Sequence, residues 1–232
     1  MTKHVILMGP QGSGKGTQSD RIRGQLKLAP VATGELFRSA IRSGSDLGSK
    51  IKAIYDRGEL VPDDLTVALV EERLDQLSRE RREGAEIEGA LYDGFPRTDE
   101  QAEVLNRALA QRGEVVTAVI AIDVPRPILI ERLAGRRVCS SCGRVYNVVT
   151  DPPNFDEICD SCGGTLIQRA DDTPEAVIKR LNLYDRETAP VVQHYADQGL
   201  LTRVNGDRPV EDVSQDIISA IEAAQRMAAS RR

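Results

Sequence analysis

The sequence lacks an apolar run long enough to cross a membrane. The longest purely apolar stretches, such as residues 118–122, have only a few residues, whereas a spanning helix needs about 20. The N-terminus, Met-Thr-Lys-His followed by a short apolar run, also lacks the long apolar segment of a secretory signal. These absences predict a cytoplasmic protein with no membrane partner.

The sequence also lacks a basic excess, an internal repeat and a low-complexity tract. Its formal net charge of -5 argues against a general nucleic-acid-binding protein, which normally carries a basic face. A hydrophobic fraction of 40% and a charged fraction of 29% are typical of a folded globular protein. The 232 residues suffice for one core with small appendages.

A glycine-rich segment follows the first apolar run. Residues 3–8 lead into Gly-Pro-Gln-Gly-Ser-Gly-Lys-Gly-Thr at 9–17. Repeated glycines let a loop turn its backbone N–H groups towards a phosphate, and a following helix adds unpaired N–H groups and its dipole. An ordinary glycine-rich turn would have the same composition, but the flanking strand and helix favour a P-loop. The candidate phosphate ligands are Gly12, Ser13, Gly14, Lys15, Gly16 and Thr17.

The loop departs from the usual P-loop pattern at one position. Gly16 stands where Ser or Thr is expected, and the hydroxyl is displaced to Thr17, so the usual Mg²⁺ ligand is in doubt. A P-loop predicts an α/β fold, with a parallel sheet flanked by helices and the site at the C-terminal ends of the strands. By itself it indicates only a nucleotide phosphate.

Two further segments carry polar residues suited to a second phosphate. One reads Thr-Gly-Glu-Leu-Phe-Arg at 33–38 and the other Asp-Gly-Phe-Pro-Arg at 93–97. Glycine and proline interrupt regular structure, so Asp93 and Arg97 are expected on a loop beside the P-loop. Arg38 and Arg97 each offer a planar fork of donors suited to bidentate phosphate binding. Taken alone, each arginine is more often a solvated surface residue.

Together, these segments resemble the adenylate kinase family over about residues 3–210, in the family's order. The resemblance continues beyond the segments above through Gly135-Arg136-Arg137, Asp171-Asp172, Arg180 and the Asn-Gly-Asp-Arg-Pro segment at 205–209. It implies a monomer that transfers a phosphoryl group from Mg²⁺-bound ATP to AMP, giving two ADP, and so maintains the adenine nucleotide balance.

The resemblance also assigns roles to residues in and near the segments at 33–38 and 93–97. Arg38 and Arg97 would grip the AMP phosphate, Thr33 and Gln101 would contact its adenine, and Asp93 would hold Mg²⁺ through water. Glu35 replaces the Asp usual in the family, and residues 75–90 form a longer stretch than usual, to which no role is assigned. The other implied AMP-site residues are Glu59, Leu60, Val61, Gly94, Arg169 and Arg180.

Further arginines complete the implied catalytic set. Arg132 and Arg136 lie four apart at the end of a run with helical spacing, so they are expected to project from one helix face. A second helix is predicted to begin at Thr173, with Pro174 at its first position. The resemblance implies that Arg132, Arg136, Arg169 and Arg180 converge on the triphosphate and the transferred phosphoryl group, and that Arg208 lies against the ATP adenine. Lys15, Asp93 and Arg97 complete the catalytic set.

None of these motifs contains a histidine. The attacking oxygen of AMP would already be anionic, so transfer needs positioning and electrostatic stabilisation rather than a general base. His4 and His194 are therefore interpreted as structural or exposed.

All four cysteines form two Cys-x-x-Cys pairs, each followed by glycine: Cys139 with Cys142, and Cys159 with Cys162. This spacing is typical of tetrahedral Zn²⁺, and four thiolates leave no open position, which predicts a structural rather than catalytic metal. Fe²⁺ or Co²⁺ suits the same ligands, and the spacing also permits redox dithiols or disulfides. With these cysteines the chain resembles the zinc-lid subset of the family.

The predicted organisation is a P-loop NTPase-type core with two insertions. The core comprises residues 1–32, 66–137 and 169–232, and an AMP-binding helical insertion comprises residues 33–65. A small zinc-ribbon-like lid comprises residues 138–168. Both insertions would close over the substrates and exclude water. The tail from Glu211 is predicted to be helical.

Two further functions remain open. A UMP/CMP-type or other nucleoside monophosphate kinase would use the same fold, although Thr33 and Gln101 favour adenine. A P-loop regulatory ATPase would use the zinc ribbon to bind RNA or DNA and would hydrolyse ATP without AMP. The regulatory ATPase leaves Arg38 and Arg97 without a role.

Overall fold

The computed structural model describes residues 2–55, 57, 59–169 and 172–230, without the side chains of 228–230. Of the residues singled out above, Asp171 lies outside this part of the chain.

A five-stranded parallel sheet forms the centre of the molecule, which confirms the predicted α/β class. The strands lie in the order β2-β3-β1-β4-β8. Their bounds are Lys3–Met8 (β1), Leu28–Ala32 (β2), Gly89–Asp93 (β3), Ala118–Asp123 (β4) and Leu201–Asn205 (β8).

Helices cover both faces of this sheet. They are Lys15–Gln25 (α1), Thr33–Arg42 (α2), Asp46–Tyr55 (α3), Asp63–Arg82 (α4), Asp99–Ala110 (α5), Arg126–Ala134 (α6), Pro174–Leu183 (α7), Ala189–Asp197 (α8) and Val210–Ser230 (α9). Alternate residues of a strand point to opposite faces: Ile6 and Met8 of β1 pack with α4, α5 and α8, whereas Val5 and Leu7 pack with α1 and α9. A π-helical turn, Tyr184–Thr188, joins α7 to α8.

Local signals located two of these helices correctly. Thr173 is the N-cap of α7, since its side chain accepts a hydrogen bond from the backbone N–H of Ala176 and Pro174 follows it. The tail from Glu211 lies in α9 as predicted. Among the described residues no helix combines the length and apolar character needed to cross a membrane.

The prediction that Arg132 and Arg136 project from one helix face is wrong. Helix α6 ends at Ala134, and Arg136 is the first residue of strand β5, Arg136–Cys139. The strand pairs with both β6, Val145–Asn147, and β7, Leu166–Ile167. Pairing with these distant strands holds the backbone extended from Arg136. The local spacing of apolar residues alone predicts that the helix continues there.

Two small units stand on the core. Helices α2 and α3 pack around Phe37, Ile51 and Val61, within the predicted AMP-binding insertion. The antiparallel sheet β6-β5-β7 forms the centre of the predicted lid and starts at Arg136, slightly before the predicted boundary. Residues 75–90 comprise the C-terminal part of α4, the loop at 83–88 and the first two residues of β3.

We predict that Gly48→Ala destabilises the α2–α3 unit. Gly48 lies in α3, and a Cβ there would overlap the backbone carbonyl of Ala40 in α2, so the two helices would have to separate. Overpacking of this kind costs about 1–3 kcal/mol, measurable as a lower free energy of unfolding in urea.

Gly24→Ala is the matched control, because a Cβ at this exposed position of α1 meets no atom within 4 Å. It should raise the unfolding free energy by up to about 1 kcal/mol. Equal stability of the two variants would contradict the close packing of α2 on α3.

Candidate active site

The glycine-rich loop joins β1 to α1. Gly12 and Gly14 have φ of +84° and +98°, a conformation that only glycine adopts without strain. Gly14 is the residue directly before α1, so the unpaired N–H groups of that helix open towards the loop. This geometry is that of an anion-binding loop.

Lys15 lies at the base of this loop. Its Nζ donates to the carbonyl oxygens of Gly9 and Pro10, at 2.7 Å and 2.9 Å. Burial, with further repulsion from Arg97 and other nearby arginines, lowers its pKa to about 8, while Asp93 opposes the shift. Lys15 is therefore positioned beside other cations at a site suited to a polyanion.

Asp93 lies beside the position where P-loops usually carry a hydroxyl. A Cβ built on Gly16 would lie 3.8 Å from Asp93 Oδ2. A carboxylate with room for water at this place fits Mg²⁺, which prefers oxygen ligands and keeps several of its waters.

A second group of polar side chains surrounds the loop after β3. The Gly94 carbonyl oxygen accepts hydrogen bonds from Thr33 Oγ1 at 2.9 Å and from Arg97 Nε at 2.8 Å. The side-chain oxygen of Gln101 accepts from the Arg97 backbone N–H at 2.8 Å, and its amide nitrogen donates to Asp63 Oδ1 at 2.6 Å. This amide keeps one hydrogen and one lone pair for a further partner.

Arg38 of α2 lines the same cleft as this loop. It donates to Glu35 Oε2 at 2.9 Å and to the Tyr55 hydroxyl at 3.2 Å. Glu35 also accepts a hydrogen bond from Arg42, so this carboxylate binds two arginines of α2, of which Arg38 lines the cleft.

A third group of arginines comes from α6, β5 and α7. Arg132 donates to the Gly206 carbonyl oxygen through both terminal nitrogens, each at 3.0 Å. Arg136 donates to both carboxylate oxygens of Asp172, and Arg180 lies 3.6 Å from the same carboxylate. Asp172 is only 1% exposed, so it is a buried anchor for two cations.

All of the residues predicted to contact nucleotides line one cleft of about 1450 Å³. This volume exceeds the roughly 300–1000 Å³ of a typical single-ligand pocket. The predicted residues on its wall are Gly12, Ser13, Gly14, Lys15, Gly16, Thr17, Thr33, Arg38, Glu59, Leu60, Val61, Asp93, Gly94, Arg97, Gln101, Arg132, Arg136, Arg169, Arg180 and Arg208.

The four cysteines form a compact cluster in the predicted lid. Their sulfur atoms all lie within 4.8 Å of one another, and Cys139 and Cys159 are buried. Cys139–Cys162 and Cys142–Cys159 sulfurs are 3.5 Å and 3.6 Å apart, much farther than the roughly 2.05 Å of a disulfide. Zn–S bonds of about 2.3 Å in a tetrahedron place sulfurs about 3.8 Å apart, so the cluster fits such a metal.

Comparison with known proteins identifies the family. A sequence model of adenylate kinase matches residues 7–200. An adenylate kinase of Symbiobacterium thermophilum is 46% identical over 222 residues, covering 96% of this chain and 100% of the relative. One of Carboxydothermus hydrogenoformans is 44% identical, covering 94% and 99%, and one of Caldanaerobacter subterraneus is 42% identical, covering 96% and 97%. This chain belongs to the adenylate kinase family.

As a member of the adenylate kinase family, the protein is a nucleoside monophosphate kinase, and the P-loop, the parallel sheet and the cysteine cluster agree with the zinc-lid subset. The two histidines lie outside the cleft wall. His4 is fully buried against Tyr92 and Glu114, each 2.9 Å from its ring nitrogens, and burial lowers its pKa.

Sequence reasoning missed several residues that position the kinase site. Asp172 belongs to the Asp171-Asp172 pair noted in the sequence. Only the fold shows that its carboxylate is buried between Arg136 and Arg180. Tyr55, which contacts Arg38, and Asp63, which orients Gln101, come from separate helices. A Tyr near the end of an amphipathic helix carries no local signal for such a role.

We predict that nucleotide binding takes up a proton near pH 8.5. The pKa of Lys15 is about 8 in the free protein, so most Lys15 is neutral at pH 8.5 and almost all is charged at pH 6.5. A bound triphosphate favours the charged form, so binding should take up about three-quarters of a proton at pH 8.5 and almost none at pH 6.5.

Calorimetry of Mg-ATP binding in buffers with different ionisation enthalpies measures this uptake. Lys15→Met is the control and should remove it. The same small uptake at both pH values would show that Lys15 does not meet the triphosphate.

Proposed function

We propose that the protein catalyses the reversible, Mg²⁺-dependent reaction ATP + AMP = 2 ADP. The observation that carries this proposal is a single cleft lined both by the P-loop and by Arg38 and Arg97, two separate groups whose chemistry suits a phosphate. An ATPase, which transfers the phosphoryl group to water, needs only the P-loop.

ATP would bind with its phosphates on the P-loop. Backbone N–H groups of residues 12–17 and the start of α1 would surround the β- and γ-phosphates, and Lys15 would exchange its carbonyl partners for phosphate oxygens. Arg208 lies on the wall of the same cleft and would pack against the adenine.

AMP would bind across the cleft, between α2 and the loop after β3. Arg38 and Arg97 would grip its phosphate, and the backbone of residues 59–61 with Thr33 and Gln101 would surround the base. The free hydrogen and lone pair of the Gln101 amide match the donor and acceptor pattern on one edge of adenine. Its fixed orientation by Asp63 and Arg97 supports base selection.

Transfer would proceed by in-line attack of an AMP phosphate oxygen on the γ-phosphorus, with the β-phosphate leaving. Arg132, Arg136, Arg169 and Arg180 would stabilise the negative charge that spreads over the transferred group. Asp93 would hold Mg²⁺ through water, and the ion would supply further neutralisation of the phosphate charge. No general base is required, because the attacking oxygen is already ionised.

The four lid cysteines would hold a structural Zn²⁺. The buried core of the lid consists only of Cys139, Tyr146, Cys159 and Leu166 among the described residues. Such a small core stabilises a fold poorly, and a tetrahedral metal would provide the missing free energy. We further propose that the enzyme is a cytoplasmic monomer, with residues 33–65 and 138–168 moving as arm and lid around the core.

Substrate competition tests the proposed reaction. The purified protein, Mg-ATP and AMP should yield ADP, whereas CMP, UMP and GMP should react at least about tenfold more slowly. UMP and GMP present the donor and acceptor in the opposite order from adenine, and CMP has the same order on a smaller pyrimidine ring that would leave part of a purine site unfilled. Lys15→Met keeps the size of the side chain but removes its charge, and should abolish transfer with the fold intact by circular dichroism.

Equal rates with CMP would replace this proposal with a UMP/CMP-type kinase. ATP hydrolysis without AMP, together with salt-sensitive binding of RNA or DNA, would instead favour a regulatory ATPase.

A ligand substitution tests the metal. Cys142→Ser removes one thiolate from an exposed position and should lower both zinc content and the melting temperature, while the initial rate at low temperature changes less. The reason is that four thiolates leave no open position on the metal for a substrate, so the metal would support the lid and take no part in the transfer. Unchanged stability at reduced zinc content would show that the metal is not structural.

A further inference from the structure

Tyr146 is the one aromatic side chain in the buried core of the lid among the described residues. It lies in β6 and is only 2% exposed. Its hydroxyl lies 3.4 Å from Cys159 Sγ, within hydrogen-bond distance for sulfur. A buried tyrosine hydroxyl next to a cysteine of the candidate metal site needs a partner, and this sulfur is in position to be one.

The direction of this hydrogen bond follows from the neighbouring groups. The backbone N–H of Asp160 donates to the Tyr146 hydroxyl oxygen at 2.9 Å. The oxygen is therefore an acceptor on that side, and its single hydrogen is free to point at Cys159. A metal-bound thiolate has no hydrogen and can only accept, so the Tyr146 hydroxyl must be the donor.

Arg144 strengthens Tyr146 as a donor. Its guanidinium carbon lies 5.0 Å from the centroid of the Tyr146 ring, within cation–π distance. A cation over the ring withdraws electron density and makes the phenolic O–H a better donor. Arg144 is held in place by a 2.8 Å hydrogen bond to the Ser161 hydroxyl, in the loop between Cys159 and Cys162.

We propose that Tyr146 is an outer-shell residue of the lid metal site, whose hydroxyl hydrogen bonds the Cys159 thiolate and slows loss of the metal. This inference rests on the proposed zinc site. A hydrogen bond to a thiolate spreads part of its negative charge, which stabilises four thiolates around one divalent ion. The metal is then released less readily.

Tyr146 also connects the metal site to the base of the lid. The next residue, Asn147, donates through its side-chain amide to the Arg132 carbonyl oxygen at 2.9 Å. Strand β6 therefore contacts Cys159 through Tyr146 and the backbone of Arg132, which lines the cleft, through Asn147. Tyr146 thus has a positioning role and not a catalytic one.

Tyr146→Phe in the full-length, zinc-loaded protein tests the proposal. The variant keeps all four cysteines and the ring, and it should transfer zinc to a colorimetric chelator roughly 10–100-fold faster than the unaltered protein. Tyr195→Phe is the matched control. Tyr195 is fully buried, and its hydroxyl has no hydrogen-bond partner among the described residues, so zinc transfer should stay at the unaltered rate.

An unchanged rate in Tyr146→Phe, or an equal acceleration in both variants, would overturn the proposal. Zinc content of the unaltered protein is measured first, so that the two levels of inference are separated. Less than one bound metal per chain would refute the zinc site itself, whereas full loading with no effect of Tyr146→Phe would refute only the role of Tyr146.

A second measurement needs no variant and remains decisive if Tyr146→Phe does not fold. In the unaltered protein loaded with ¹¹³Cd, the Tyr146 hydroxyl proton should exchange slowly with water and show scalar coupling to the metal through the O–H···S bond. A hydroxyl proton that exchanges rapidly, or that shows no coupling to cadmium, would contradict the proposed bond.

Discussion

The site depends on holding several positive side chains close together in one cleft. Lys15, Arg97, Arg136 and Arg180 are near enough for the arginines to lower the pKa of Lys15. Their repulsion is offset by Asp172, which binds two of them, and by backbone carbonyl oxygens, which bind the other two. Carbonyl dipoles fix a cation without neutralising it, so the cleft keeps the charge needed to stabilise a phosphoryl group in transfer.

The parallel sheet explains how distant segments reach this cleft. Leu7 of β1 and Ala32 of β2 both pair with Asp93 of β3, so the P-loop, Thr33 and the loop at Gly94 start from neighbouring strand ends. On the other side of β1, strands β4 and β8 end beside each other, and Gly206 follows there to hold Arg132. Segments that follow separate strands therefore meet at one edge, as expected for this sheet class.

The features predictable from sequence were those encoded within a few residues. The P-loop, the Thr173 cap and the cysteine pairs each depend on residue types at short fixed spacings, and the structure has all three. Features that depend on tertiary contacts were not accessible. The strand at Arg136 exists because of pairing with distant residues, and the burial of Asp172 depends on where the chain enters α7. The assigned nucleotide roles and the bounds of arm and lid stay predictions.

The proposed reaction requires two nucleotides to bind end to end in one cationic cleft. The most direct measurement is a crystal structure of the complex with a bisubstrate analogue in which two adenosines are joined by five phosphates. We predict density for both halves, with Lys15 at the phosphates of one half and Arg38 and Arg97 at those of the other. Density for one half alone, with Arg38 and Arg97 turned towards solvent, would contradict it.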